Sequence, residues 1–253
     1  MERLEFFNPF RAPVYYEETV TSTMDISRKL AAAGEPHGTV IAADFQEAGR
    51  GRIRERGWET EKNTSLLFTV LLRYPSIEAI PPAITLRTGL AVVLAIEEFA
   101  PALCGTVTIK WPNDVMIGSK KAVGILCEAD GGIVHTGIGI NVAQKKFSGI
   151  LQNKATSIAI AQNRDISPAE RFTLLQLILR KLYSELDSSD WRSRLEQRLY
   201  KKGENVSFME GAAESGNLFK GRLAGIGQGG ELLIEGTSET RAFITGELLS
   251  IYE

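Results

Sequence analysis

Residues 110–141 read KWPNDVMIGSKKAVGILCEADGGIVHTGIGIN, and the pattern of this stretch predicts a run of neighbouring strands. The run 107–110 is β-type, and Pro112 ends it because proline has no N–H group to give to a central ladder. Two longer apolar runs, 121–127 and 133–140, lie on either side of an Asp-Gly-Gly turn. The stretch therefore predicts a β-meander with polar residues at its strand ends.

Polar residues and glycines occupy distinctive places in this stretch. Asn113 and Asp114 follow the proline at a strand end, where they are free to bind a ligand. Lys121 precedes an apolar run that contains Gly124, and Gly139 lies in an alternating Gly-Ile pattern. Glycine suits positions where a ligand approaches the backbone closely. Each feature alone is typical of an ordinary β-meander, but together they indicate a ligand site.

The first 18 residues are predicted to be irregular, and a helix is expected to follow them. Ser22, Thr23 and Asp25 are all candidate N-caps for a helix that continues to about Ala33. Capping is the simpler interpretation for each of these side chains. The N–H groups at a helix N-terminus also bind polar ligands, so the same region is a candidate binding site.

The segment 45–58, FQEAGRGRIRERGW, is predicted to be a basic, glycine-rich loop. Its arginines alternate along the chain at positions 50, 52, 54 and 56. Guanidinium groups bind phosphate or carboxylate in a bidentate manner, and glycines give the backbone freedom to fold over an anion. A solvated basic loop and a strand with one basic face are alternatives, whereas the interspersed acidic residues disfavour an RNA-binding patch.

The middle of the chain predicts a core of strands and helices. An apolar run at 64–73 predicts a central strand, and the helical spacing of apolar residues predicts a buried helix over 83–99. Ser167 and Glu170 form a capping box for a long helix, and another helix is expected over 191–200. These helices are interpreted as structural.

Composition changes after Gly203. Short alternating segments separated by glycine-rich turns fill the rest of the chain and predict a small β-barrel. We therefore expect two domains, 1–203 and 204–253. With the preceding helices and strands, the whole chain is expected to have an α+β fold.

The composition disfavours several classes of function. The chain has 253 residues and a net charge of −2, from 29 basic and 31 acidic side chains, so it has no excess of positive charge for nucleic acid. No run approaches the ~20 apolar residues of a membrane span. The N-terminus is unlike a secretory signal, so a cytoplasmic protein is expected. Cys104 and Cys127 are expected to be buried, reduced thiols.

Together these features resemble the biotin protein ligases, and the resemblance covers most of the chain. Its motifs occur in the family's order and at close to its spacing. They are Ser22-Thr23, Gln46, the GRGR of 49–52, Trp58, the KWPND of 110–114, Lys121 with its AVGIL run, and the GIGIN of 137–141. The resemblance implies a class II synthetase-like biotin/lipoate ligase fold, in which helices flank a mixed, largely antiparallel sheet and a small SH3-like β-barrel follows. No helix-turn-helix precedes residue 18, so the single-function type without a DNA-binding domain is expected.

The resemblance implies an ATP-dependent reaction in two steps that uses Mg²⁺. The biotin carboxylate attacks the α-phosphate of ATP and forms biotinyl-5′-AMP, with release of pyrophosphate. A lysine of a biotin carboxyl carrier protein, such as a subunit of acetyl-CoA carboxylase, then takes the biotinyl group and releases AMP. No nucleic-acid or membrane partner is expected, and a homodimer is left open.

The resemblance also implies roles for the matching residues. Lys121, Arg50 and Arg52 are expected to be catalytic, because they would hold the biotin carboxylate and the α-phosphate together and keep water from the anhydride. The residues expected to bind biotin are Ser22, Thr23, Gln46, Gly49, Arg50, Lys121, Gly124 and Gly139. The residues expected to bind ATP are Arg52, Arg56, Trp58, Lys110, Asn113, Asp114 and Asn141. Asn113 and Asp114 are also the expected Mg²⁺ ligands.

One segment departs from the family pattern. The family reads GRGRxGRxW, whereas this chain reads GRGRIRERGW, with one more residue between Arg52 and Trp58 and without the third glycine. Counting back from Trp58 aligns Arg56 with the family's later arginine, but counting forward from Gly49 does not. The difference predicts an altered rate of adenylate release, and a normal rate in stopped-flow measurements would count against it.

Three other functions are weaker alternatives. A lipoate or octanoate ligase or transferase shares the catalytic fold but lacks the combination of GRGR and WPN. A non-catalytic protein that binds biotinyl-AMP and regulates by protein contact does not need Lys121 in this place. A nucleic-acid-binding barrel predicts basic and aromatic residues, and residues 204–253 hold few basic side chains.

Overall fold

The computed structural model describes residues 1–52, 58, 61–211, 216–237 and 239–249, which form helices and two sheets. The helices are α1 (Thr23–Ala32), α2 (Ile84–Phe99), α3 (Leu151–Lys154), α4 (Ile158–Gln162), α5 (Pro168–Leu186) and α6 (Trp191–Glu196). The strands are β1 (Glu2–Arg3), β2 (Val14–Val20), β3 (Thr39–Gln46), β4 (Ser65–Arg73), β5 (Val107–Lys110), β6 (Asp114–Ile117), β7 (Lys120–Asp130), β8 (Ile133–Asn141), β9 (Asn205–Glu210), β10 (Asn217–Ile226), β11 (Leu232–Glu235), β12 (Thr240–Phe243) and β13 (Glu247–Leu248).

The larger sheet has eight strands in the order β1-β2-β3-β4-β8-β7-β6-β5. Strands β2 and β3 are parallel to each other, and the other neighbouring pairs run antiparallel. The predicted mixed, largely antiparallel sheet is confirmed. Its central strands β4, β8 and β7 carry the apolar run 64–73, the GIGIN segment and the run after Lys121.

Both faces of β4 are covered, which explains its nearly continuous apolar sequence. Leu66, Phe68 and Val70 belong to the core that α2 and α5 complete. From the other face, the Thr69 hydroxyl donates a hydrogen bond to the Thr23 hydroxyl of α1 at 2.8 Å. The N-terminus of α1 therefore lies directly over the centre of the sheet.

Helix α5 begins at the predicted capping box. The Ser167 N–H and hydroxyl both donate to the Glu170 carboxylate, at 2.8 and 2.9 Å. The backbone hydrogen bond from Ser167 is the main cause that lowers the pKa of Glu170 to about 2. Because the cap fixes where the helix starts, it also fixes which of its side chains pack against α2.

The N-terminal region differs from the prediction of irregular structure. Residues Val14–Val20 form β2, which pairs in parallel with β3, and β1 pairs with β2 at the edge of the sheet. Only the two end residues of β2, Val14 and Val20, are buried. Its sequence therefore lacks the alternation by which a half-buried strand is recognised.

Two later elements also differ from their predictions. Asp114 does not lie in a turn but begins β6, because the chain reverses within residues 111–113 and pairs at once with β5. The helix predicted over 191–200 ends at Glu196. Beyond it, backbone hydrogen bonds join Arg198 and Tyr200 to Ile109 of β5. Because these backbone groups bond to a strand, they do not continue the helix.

The C-terminal strands form a five-stranded antiparallel sheet in the order β12-β11-β10-β9-β13. Among the described residues, no pairing joins its edge strands β12 and β13, so a closed barrel stays a prediction, as does the division at 203/204. The two sheets touch at Trp111, whose indole N–H donates to the Gly230 carbonyl at 2.9 Å. The Trp111 ring also packs on Phe208 of β9.

One described segment, 77–99, is long and apolar enough to cross a membrane by length and composition. However, 56% of its most apolar window is buried inside the protein. This segment includes α2, which packs against α5 and forms much of the core. Its apolar sequence is therefore explained by packing within the fold.

The prediction of two buried thiols is wrong for one of them. Cys104 is exposed, because it follows the turn of 3₁₀ helix at 101–103 on the surface. Cys127 is partly buried on β7, and burial raises the pKa of its thiol.

A buried ion pair fastens α5 to the sheet. The Arg171 guanidinium lies 2.9 Å from the Asp44 carboxylate of β3, with side chains only 4% and 12% exposed. Arg171 also donates to the Ser65 carbonyl at 2.7 Å, and the Tyr16 hydroxyl donates to Asp44 at 2.7 Å. The pair therefore joins three strands and a helix.

Replacing Arg171 by methionine leaves the Asp44 carboxylate buried without its cation. We expect Arg171→Met to lower the free energy of unfolding by about 3–5 kcal/mol, measured by urea denaturation. The matched control is Arg222→Met, which removes an exposed ion pair with Glu235 and should cost less than about 1 kcal/mol. Equal effects of the two substitutions would contradict this account.

Candidate active site

The strand register assembles the floor of the site. Asp114 pairs with Gly124, Gly124 with Gly139, and Gly139 with Leu67, so the four lie in one row across the sheet. Directly opposite residues share a face. The glycine pair, Gly124 and Gly139, therefore leaves a flat patch of backbone between Asp114 and β4, which we call the glycine floor.

A cleft that opens to solvent lies over this floor. Its walls come from the start of α1, the end of β3, the segment at 50–52, and strands β7 and β8. The lining residues are Ser22, Thr23, Met24, Gln46, Arg50, Gly51, Arg52, Trp58, Asn113, Lys121, Gly124, Ile125, Leu126, Gly137, Ile138 and Gly139. The cleft thus brings together most of the predicted site residues.

One end of the cleft is a neutral hydrogen-bonding network. The Thr23 N–H and hydroxyl both donate to the Gln46 side-chain carbonyl, at 2.8 and 3.0 Å. Thr69 supports Thr23 from below. Because the Gln46 oxygen is occupied, its amide N–H groups remain as donors. Ser22 is buried beside this network at the N-cap of α1.

The other end of the cleft carries a charge pair. The Lys121 ammonium lies 2.6 Å from Asp114 Oδ1 and about 5.6 Å from the centre of the Trp58 ring. The Lys121 backbone is also fixed, since its carbonyl accepts a hydrogen bond from the Thr156 N–H. Nearby, the Asn113 amide donates to the Ile125 carbonyl at 2.9 Å, which leaves the Asn113 oxygen available as an acceptor.

Two arginines of the GRGR segment are held by partners outside it. Arg50 Nη2 donates to the Asp25 carboxylate at 2.5 Å, and Arg52 Nη2 donates to the Gly246 carbonyl of the C-terminal sheet at 3.2 Å. Both arginines line the cleft. The lining of the cleft therefore carries these two guanidinium groups as well as the Lys121 ammonium.

Trp58 rests on the glycine floor. A Cβ atom added at either Gly124 or Gly139 would lie 2.8 Å from a carbon of its indole ring. Its backbone N–H donates to the Gly49 carbonyl at 3.1 Å. The Trp58 indole nitrogen is buried and has no hydrogen-bond partner among the described residues. A ligand that lies on the floor must therefore move this ring.

The remaining predicted site residues lie outside the lining of the cleft. Lys110 pairs across the strands with Asp114. The Asn141 side chain is buried, where it donates to the Thr156 carbonyl and accepts from Gln144. Gly49 contributes the carbonyl that holds Trp58. Asp114 contacts Lys121 but does not itself line the cleft. Arg56 lies outside the described residues. The roles of all five residues stay predictions.

A buried serine–histidine pair fixes α1 over the sheet. Ser27 Oγ lies 2.8 Å from His135 Nδ1, and both residues are buried. Burial is the main cause that lowers the pKa of His135, and the nearby Arg28 lowers it further. The imidazole is thus neutral at neutral pH, which suits a structural contact between α1 and β8.

Several residues of the site were missed by the sequence analysis. Thr69 is the polar member of an apolar run, and that exception to the pattern was a usable signal. Met24 lines the cleft and its sulfur packs on Gly137. Asp25 was considered only as a cap. Its contact with Arg50 depends on the tertiary fold, and no local pattern reports it.

Comparison with known proteins agrees with this fold. The profile of the biotin/lipoate A/B protein ligase family matches residues 16–145, and the chain belongs to that family. The bifunctional ligase/repressor BirA of Bacillus subtilis is 34% identical over 87% of this chain and 68% of its own length. The biotin–[acetyl-CoA-carboxylase] ligase of Paracoccus denitrificans is 29% identical over 90% of this chain and 96% of its own.

A solved structure extends the comparison to three dimensions. The biotin protein ligase from Aquifex aeolicus, in complex with biotin and ATP, superposes with a TM-score of 0.78. It is 26% identical in sequence, and the match covers 93% of this chain and 97% of that one. The α+β fold predicted from the sequence is therefore confirmed.

The contact between Trp58 and the floor predicts the effect of a single added methyl group. In Gly139→Ala, the new Cβ overlaps the indole, so Trp58 should leave the floor and become more accessible to acrylamide quenching. Trp111 and Trp191 are only 3% and 5% exposed and contribute little. The control, Gly89→Ala, meets atoms no nearer than 3.6 Å and should leave quenching unchanged. Unaltered quenching in Gly139→Ala would contradict the placement of Trp58.

Proposed function

We propose that this chain is an ATP-dependent biotin protein ligase, which activates biotin as biotinyl-5′-AMP and transfers it to a lysine of a biotin carboxyl carrier protein. The observation that carries the proposal is the cleft itself. A hydrogen-bonding end, a flat glycine floor and a cationic end follow one another in the order that a ureido ring, a fused bicycle and a carboxylate require. The family relatives name the same reaction class.

The neutral end of the cleft suits the biotin ureido group. Ser22, Thr23 and Gln46 offer hydroxyl and amide groups to a ring that is both a donor and an acceptor. Gly124 and Gly139 let the backbone lie close to the apolar rings, where side chains would exclude them. This end orients the substrate and leaves its carboxylate towards Lys121.

Lys121 suits the reacting centre. Its ammonium has three N–H donors, and the ion pair with Asp114 occupies one direction only. The others can bind a biotin carboxylate oxygen and an α-phosphate oxygen together. In the first step the carboxylate oxygen forms a bond to the α-phosphorus and pyrophosphate leaves. The added negative charge of that transition state is stabilised by the fixed cation.

The second step consumes the mixed anhydride. The amine of the carrier lysine attacks the acyl carbon, the bond to the AMP oxygen breaks, and the amine loses a proton. Arg50 and Arg52 would cover the anhydride and limit its reaction with water. The Paracoccus relative is named for acetyl-CoA carboxylase, so the carrier is proposed to be the biotin-bearing domain of that type of enzyme.

The residues at the nucleotide end are compatible with Mg²⁺. Asp114 Oδ1 accepts the Lys121 ammonium at 2.6 Å, and its second carboxylate oxygen is a further acceptor. The Asn113 amide donates to Ile125, and among the described residues its side-chain oxygen stays available as an acceptor. Mg²⁺ in nucleotide sites commonly takes one or two carboxylates together with phosphates and water, so Asn113 and Asp114 would suffice as its protein ligands. When bound, Mg²⁺ neutralises phosphate charge. Arg56, Trp58, Lys110 and Asn141 are proposed to contact the nucleotide.

Partners and location follow from the same proposal. A carrier protein is the macromolecular partner, and the net charge of −2 offers no support for a nucleic-acid partner. The cytoplasm is the proposed location, since the proposed reaction consumes ATP. A homodimer stays a prediction, which light scattering would measure.

The decisive experiment compares two neighbouring lysines. Purified protein is incubated with biotin, Mg-ATP and a carrier domain, and the carrier mass is followed. The wild type should add one biotinyl group, and Lys121→Ala should slow transfer by about 10²–10³-fold. Lys120→Ala is the matched control, because Lys120 bonds the Gln152 carbonyl outside the cleft, and it should stay active.

Each result of that experiment has a definite meaning. Equal loss in both lysine variants would contradict the role of Lys121. No biotinyl-AMP and no transfer by the wild type would overturn the ligase assignment. Transfer of lipoate at the rate of biotin would replace it with the lipoate alternative.

A further inference from the structure

A small charge network lies beside the cleft, at the first turn of α1. Asp25 Oδ1 accepts hydrogen bonds from Arg50 Nη2 at 2.5 Å and from Arg28 Nη1 at 2.7 Å. The other arm of Arg28 is bonded to Glu128 of β7. One carboxylate oxygen thus serves two guanidinium groups, and only one of them, Arg50, lines the cleft.

We infer that Asp25 is a positioning residue for the ligase reaction, which holds the Arg50 guanidinium in the lining of the cleft. The inference rests on the proposed function, since it assigns the partner of a residue proposed to cover the adenylate. Asp25 itself does not line the cleft, so its effect passes through Arg50.

The geometry leaves Arg50 free to bind an anion while Asp25 holds it. A guanidinium has five N–H donors in a rigid planar fork, and the contact with Asp25 uses Nη2. The donors on the rest of the fork remain for a carboxylate or a phosphate. A fork that is already oriented loses less conformational entropy when it binds.

Asp25 also links Arg50 to the neutral end of the cleft through one helical turn. Its backbone N–H donates to the Ser22 carbonyl at 3.1 Å, and it follows Thr23 by two residues. Thr23 is fixed to Gln46 and Thr69. The turn of α1 that presents Thr23 to the ureido group therefore also anchors the arginine above the anhydride.

A purely structural role for Asp25 makes a different prediction. An acidic residue in the first turn stabilises a helix through its dipole, and half-exposed ion pairs contribute little to folding. The Asp25 and Arg50 side chains are 39% and 41% exposed. In that case Asp25→Asn would lower the melting temperature slightly and would act independently of Arg50.

The test is a double-mutant cycle on release of the adenylate. Biotinyl-AMP is formed on the full chain, and its release is followed by stopped flow in the wild type, Asp25→Asn, Arg50→Gln and the double variant. Asp25→Asn should release it about fivefold faster. The double variant should release it no faster than Arg50→Gln, because the guanidinium that Asp25 positions is already absent. Asp25→Glu should restore part of the retention.

Glu128→Gln is the matched control. It makes the same change of charge at the other end of Arg28 and leaves the contact between Asp25 and Arg50 in place. Its release rate should equal that of the wild type, and thermal melting of all variants reports any general loss of stability.

The possible outcomes separate this inference from the proposed function. If Asp25→Asn releases the adenylate at the wild-type rate, the proposed role of Asp25 is overturned. The same holds if the rate increases caused by the two substitutions multiply in the double variant. Neither result bears on the ligase assignment. No effect of Arg50→Gln would overturn the proposed role of Arg50 and this inference with it. A wild type that forms no biotinyl-AMP would overturn the ligase assignment itself.

Discussion

The pairing of β7 with β8 is the constraint on which the site depends. It sets Gly124 opposite Gly139, and the pairing of β6 with β7 then brings Asp114 to the same row. A slip of β7 by one residue would turn Gly124 to the other face of the sheet and put the side chain of Val123 or Ile125 under the ligand. The floor exists because the spacing of glycines along two strands agrees with the register between them.

The charges around the floor are arranged so that positive groups stay in place without an anionic ligand. Asp114 forms an ion pair with Lys121, and Asp25 forms one with Arg50. The Gly246 carbonyl accepts a hydrogen bond from Arg52. Each partner lies beside the cationic group and leaves some of its N–H donors unused. The cationic end is therefore oriented in advance for carboxylate and phosphate oxygens, which is how electrostatic stabilisation of a transition state is most effective.

The residues of the site that the sequence predicted are those that lie in local motifs. The positions of Lys121, Gly124 and Gly139 follow from strand periodicity and motif order, and the cleft contains all three. Contacts between distant segments could not be predicted in this way. Asp114 was placed in a turn, and the partner of Arg50 is a helix residue 25 positions earlier in the chain. The strand β2 was also not predicted, because apolar and polar residues do not alternate along it and its pairing with β3 is a tertiary contact.

The central claim is that the cleft joins the carboxylate of biotin to the α-phosphate of ATP. Biotin-dependent exchange of labelled pyrophosphate into ATP measures that step directly, without a carrier protein. The account predicts rapid exchange that requires biotin and is lost in Lys121→Ala. Exchange that proceeds without biotin, or no exchange by the wild type with both substrates present, would contradict it.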